Sequence, residues 1–164
     1  MFKTRNFLTG VVSIFITQVT FGATITGSLP VTASVLNNCV LGTITSVAFG
    51  NYDPTSAIPT TANGAITVTC TSGDVYNIGL NPGTFAGATV TTRRMTGPSA
   101  GGLAYSLFRD AGLTLNWGQT IGTDTLQQTG TDLPQTATVF GQIPALQAVT
   151  SGSYADTVGV TVTF

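Results

Sequence analysis

The sequence contains no histidine and no glutamate, and Lys3 is its sole lysine. Charged residues make up 7%, where an ordinary soluble domain carries about a quarter. These absences exclude much chemistry. General acid–base catalysis leans on histidine and glutamate, and metal centres on histidine and cysteine with carboxylates. No ordinary Ser–His–Asp triad is available, and a Ser–Lys arrangement has only a lysine in the leader to draw on. The six aspartates (Asp53, Asp74, Asp110, Asp124, Asp132 and Asp156) are scattered beside turn-forming neighbours, where bonding to the backbone explains them. No enzyme activity, cofactor or metal is expected.

Low charge is not disorder here, since 42% of residues are hydrophobic. Threonine supplies much of the polarity, with 32 residues, and glycine adds 20. Threonine and valine favour pleated, half-buried strands, whereas the residues that build surface helices are scarce. One all-β domain follows.

Lys3 and Arg5 precede an apolar run from Phe7 to Ile16, which gives way to Thr20-Phe21-Gly22-Ala23. A basic start, a short apolar core and a small-residue exit describe a secretory signal peptide. Cleavage after Gly22 or Ala23 fits, and Gly22 is preferred, so residues 1–22 are assigned to the leader. The run is too short and too interrupted to span a bilayer, so no permanent membrane anchor is expected. Beyond it, three arginines face six aspartates, a formal charge of −3. Such a surface has nothing to track a nucleic-acid backbone. Cys39 and Cys70, two cysteines in an exported chain, are expected to form a disulfide.

Ala23, Ile25, Gly27, Leu29, Val31, Ala33 and Val35 share one parity, opposite Thr24, Thr26, Ser28, Pro30, Thr32 and Ser34. A period of two over this length predicts an extended strand with one apolar face. Pro30 cannot donate to a ladder, so the paired part is expected after it or around a bulge. Further strands are expected at Val47 and Phe49, at Ile66 to Cys70, and at Tyr76 to Leu80. Others follow at Arg93 to Thr96, Leu103 to Leu107, Ala137 to Ile143, and Val158 to Phe164. Thr123 to Gln135 reads as a long polar excursion. Short strands divided by turn residues suggest an immunoglobulin-like β-sandwich.

Few side chains offer a ligand site. Arg93-Arg94 reads as a solvated strand-end pair, with an acidic ligand as the alternative. Trp117, Tyr105 and Phe108 suit packing, with sugar stacking as the alternative. Tyr154 reads as a structural corner. The two ends carry more. An apolar C-terminal strand (Val158, Val160, Val162, Phe164) is expected to border a groove in a sandwich one strand short. Such a groove is a hazard unless filled. An arm carrying Ile25, Leu29, Val31, Ala33 and Val35 has the pattern to fill one by strand addition. Each large apolar side chain buried there contributes roughly 1.5–3 kcal/mol.

The motifs occur in a recognisable order. The alternating arm ends at Cys39, followed by Phe49-Gly50-Asn51-Tyr52, Ile66-Thr67-Val68-Thr69-Cys70 and Arg93-Arg94-Met95. Then come Leu103-Ala104-Tyr105-Ser106-Leu107-Phe108-Arg109-Asp110, Trp117-Gly118, Val139-Phe140-Gly141-Gln142 and Gly152 to Val158. In this series the chain resembles the spore coat protein U domain family, which includes subunits of the archaic, Csu-type chaperone–usher pili. Gln142 departs from the basic residue of that pattern. The resemblance implies a pilin: residues 23–36 as a donor-strand arm and 37–164 as an incomplete sandwich bridged by Cys39–Cys70. It also implies a periplasmic chaperone, an outer-membrane usher and neighbouring subunits as partners, with display in a cell-surface fimbria serving adhesion or biofilm formation. Two alternatives stand beside it: a spore- or cell-coat protein whose arm fills its own groove, and a carbohydrate-binding sandwich.

Overall fold

The computed structural model describes residues 21–164. The expected signal peptide falls almost wholly on residues 1–20, outside the described residues. The chain divides into two units, Met1–Ser34 and Val35–Phe164. Residues 21–38 form no hydrogen-bonded strand, although their alternation reads as one. A strand is completed by a partner's ladder, and a lone one has none. The described apolar side chains of this stretch are bare, with Ile25 98% and Val35 85% exposed.

The second unit is all-β, with no helix among the described residues. Nine strands occur: β1 (Cys39–Thr45), β2 (Thr60–Cys70), β3 (Val75–Leu80), β4 (Arg94–Met95), β5 (Leu103–Ala104), β6 (Ser106–Phe108), β7 (Leu126–Thr129), β8 (Gln135–Ile143) and β9 (Val160–Thr163). They form a four-stranded sheet, β1-β2-β8-β6, a three-stranded sheet, β7-β3-β9, and a small β4-β5 pair. All pairings are antiparallel. Alternation sets the inner faces: Ile66, Val68 and Cys70 from β2, Ala137, Val139 and Ile143 from β8, and Tyr76, Ile78 and Leu80 from β3 are buried. Between them lie the threonines that face outward, and Thr67 and Thr136 meet across the first sheet.

The order β1-β2-β8-β6 is that of strands A, B, E and D of an immunoglobulin-like sandwich, while β3 and β9 occupy C and F. Beyond β9 lies the place of strand G. Among the described residues, no strand pairs with that second edge of β9. On the opposite flank, Leu115 to Gly118 crosses between the sheets. Arg109 N donates to Leu115 O and Trp117 N to Leu107 O, while Leu80 N donates to Gly118 O. One side of the sandwich is therefore laced shut, and the side between β1 and β9 is left without a strand.

Several expectations are corrected. Val47 and Phe49 lie outside any strand, while β1, unremarked in the sequence, precedes them. Its register shifts between Leu41 and Ile44, which destroys the alternation that would have revealed it. The polar excursion contains β7, whose glutamines hide a strand. Leu103 to Leu107 is not continuous, because Tyr105 divides β5 from β6.

Candidate functional site

The open flank forms a cleft of about 950 Å3 that reaches into the core. Ile66, Leu80, Leu107, Val139 and Ile143 form its floor; these are inner-face residues that a completed sandwich would seal. Ile44, Val47, Phe49 and Tyr52 line one wall, and Val149, Tyr154, Val158 and Val160 line the other. The parity of Val47 and Phe49 was a true signal for facing inward, carried by irregular backbone. Tyr52 is anchored from both sides: its hydroxyl donates to Pro144 O at 2.9 Å and accepts from Gln147 N at 2.8 Å. The Gln147 side chain, in turn, exchanges two 2.9 Å bonds with the Ala104 backbone, as a neighbouring strand would.

The sequence-selected residues distribute unevenly around this cleft. Val158 and Val160 line it. Val162 turns inward beside Ile78, its register partner, and packs against the core. Phe164 lies past the end of β9, outside the lining and 51% exposed. Cys39 and Cys70 are register partners at the ends of β1 and β2 and are disulfide-bonded. Ile25, Leu29, Val31, Ala33 and Val35 are all exposed.

Arg93 corrects the sequence reading outright. It is fully buried, neither a solvated strand-end residue nor open to a ligand. Its guanidinium donates to the carbonyl oxygens of Leu80, Asn81, Val90 and Trp117 at 2.7–3.0 Å. Burial pulls its pKa down, partly offset by the fields of Tyr105, Asp124 and Asp156. Arg94 alone fits the solvated description; it is exposed and donates to Gly101 O. Trp117 and Tyr105 are likewise withdrawn from any sugar-stacking role. Trp117 is fully buried with Nε1 donating to Ile78 O, and Tyr105 is 5% exposed. Tyr154 does make a corner, its hydroxyl donating to Thr150 O four residues upstream.

Tyr105 and Asp156 form a polar lock that sequence reasoning missed. The Tyr105 hydroxyl donates to Asp156 Oδ2 at 2.6 Å. Asp156 Oδ1 accepts from Thr84 N, Thr84 Oγ1 and Thr157 N. Burial, then the bond to Asp156, pushes the phenol far above its ordinary value. Burial opposes the Asp156 charge, but the bonds from Tyr105, Thr84 and Thr157 outweigh it and hold the carboxyl below its ordinary value. Among the described residues, no cluster of three metal-ligating side chains occurs.

The structure is thus an all-β, immunoglobulin-like sandwich in which, among the described residues, no strand covers the outer edge of β9 and the core is open along it. The chain belongs to the Spore Coat Protein U domain family, which it matches over residues 25–161. It is 36% identical to Protein U of Myxococcus xanthus over 155 residues, spanning 87% of this chain and 86% of that one. The same fold occurs in the solved CsuC–CsuE chaperone–tip adhesion subunit pre-assembly complex from the archaic chaperone–usher Csu pili of Acinetobacter baumannii. That match has a TM-score of 0.57 and 21% identity, and covers 79% of this chain and 40% of the other.

Proposed function

We propose that the protein is a non-catalytic structural subunit of a chaperone–usher surface fibre that polymerises by donor-strand exchange. In this reading, a periplasmic chaperone first lends a strand to the cleft. At the outer-membrane usher, the arm of the next subunit replaces it, with Ile25, Leu29, Val31, Ala33 and Val35 facing inward. The fibre is displayed on the cell surface and serves adhesion or biofilm formation. One observation carries the reading: the cleft opens the apolar core along the unpaired edge of β9. A strand laid there gains ladder bonds and apolar burial together. The bare, alternating side chains of residues 25–35 have the matching pattern.

Deleting Thr24 to Val35 tests it. Fibres should fail to form while the domain still folds and is captured by its chaperone. Fibres that form without the arm would show that another segment joins the subunits. A second reading, a coat protein of the same fold, is favoured by the match to the Spore Coat Protein U domain family. Neighbouring genes separate the two, since a fibre requires a chaperone and an usher and a coat protein requires neither.

A further inference from the structure

We propose that a second, smaller cavity binds a carboxylate-bearing sugar, such as a uronate unit of an acidic polysaccharide. The cavity, about 410 Å3, is lined by Asn77, Arg109, Leu115, Thr125, Leu126 and Gln127 with Gly122. Asn77 and Gln127 are register partners on β3 and β7. They lie on the parity opposite the buried Tyr76 and Ile78, so the cavity sits on the outward face of that sheet. It is separate from the strand-accepting cleft, with which it shares no lining residue. The inference is therefore independent of the fibre reading.

Arg109 supplies the charge. Its Nη1 donates to Thr125 O and its Nη2 to Thr123 O, while Nε is buried with no acceptor. Among the described residues, none of its hydrogen bonds reaches a carboxylate. The acids nearest in sequence are already engaged: Asp110 accepts from Thr114 and Leu115, and Asp124 accepts from Thr120 N. The guanidinium thus reaches the cavity without a bonded counter-charge, on a chain whose net charge is negative. Thr125 Oγ1 donates to Asn77 Oδ1, which fixes the Asn77 amide and leaves its NH2 free to donate.

One cation among neutral hydrogen-bonding groups suits a ligand with several hydroxyls for each charge. An acidic peptide offers carboxylates without the hydroxyls. Leu115, about half exposed at the cavity, gives the C–H face of a sugar ring an apolar wall, and the volume lies in the range of small-molecule sites.

The test is calorimetric titration of the full exported chain with oligogalacturonate, a neutral galactose oligomer of equal length, and oligoglutamate. Saturable, salt-sensitive binding of the oligogalacturonate alone is expected. Arg109→Gln should weaken it at least about tenfold, as the loss of a charged hydrogen bond does. Gln127→Ala should weaken it several-fold, and because Gln127 is exposed, this variant remains informative should Arg109→Gln fail to fold. Four results would overturn the proposal: no saturable binding, equal affinity for the neutral oligomer, equal or tighter binding of oligoglutamate, or wild-type affinity in Gln127→Ala.

Discussion

Tyr105 donates a 2.6 Å hydrogen bond to Asp156, tying the junction of β5 and β6 to the segment that leads into β9. Both residues line the cleft. Asp156 also gathers Thr84, which follows the tight turn at Gly83. Gly83 has φ +91°, and a Cβ there would run into the Asp156 carboxylate. The lock thus depends on a glycine that both turns the chain and leaves room.

Tyr105→Phe should cost about 1–3 kcal/mol, because it strands a carboxylate acceptor at a half-buried site. The acid limb of stability is more diagnostic. The bonds to Asp156 hold its folded-state pKa below the ordinary carboxylate value, so its contribution is present above the unfolded-state pKa and is lost as the pH falls through the lowered one. Asp53 and Asp110 are lowered too, so the wild type loses stability in acid for several reasons. Urea unfolding of Asp156→Asn between about pH 2 and pH 6 should show a shallower acid limb than the wild type. Parallel curves would remove Asp156 from the account.

Arg93→Lys should destabilise by about 3 kcal/mol or more, since an ammonium cannot reach four carbonyls that a planar guanidinium serves together. Arg94→Lys, at the exposed neighbour, should stay within about 0.5 kcal/mol of wild type. Equal costs in denaturant melts would contradict the burial that separates the two.

Val31→Asp should impair fibre assembly far more than Thr32→Asp, because only Val31 shares the parity of Leu29 and Val35. Sedimentation of assembled material measures this directly. Similar losses would contradict the assignment of the Val31 face to the groove, and a larger loss in Thr32→Asp would mean that the arm inserts in the other register.

Cys39→Ser with Cys70→Ser should lower stability by roughly 3.7 kcal/mol on the chain-entropy account of a cross-link spanning this length. Denaturation of oxidised and reduced wild type supplies the independent check.

The sequence made β2, β3, β8 and β9 legible because each buries one face, so period two survives in the residues themselves. β1 and β7 were hidden for opposite reasons: one carries a register shift, and the other is built from glutamines. The open edge was legible only indirectly, from the alternating arm, from the apolar strand Val158 to Phe164 and from the family resemblance. What no pattern could reveal was Arg93. A buried arginine satisfied by carbonyls of Leu80, Asn81, Val90 and Trp117 looks, in sequence, like a surface arginine, because main-chain acceptors leave no mark on residue type. The Tyr105–Asp156 lock was invisible likewise, its two members lying 51 positions apart.

The position of the disulfide has a mechanical consequence. Cys39 is the first residue of β1, and its bond leads directly to Cys70 at the far end of β2. Tension pulled through the residues before Asn38 meets only the bonds between Asn38 and Thr71 before it reaches a covalent junction, ahead of the β1–β2 ladder. β1 cannot then be unzipped from its outer end; the load passes to β2, an interior strand held by neighbours on both sides. A chain strung from many such units would hold under tension at the root of every link.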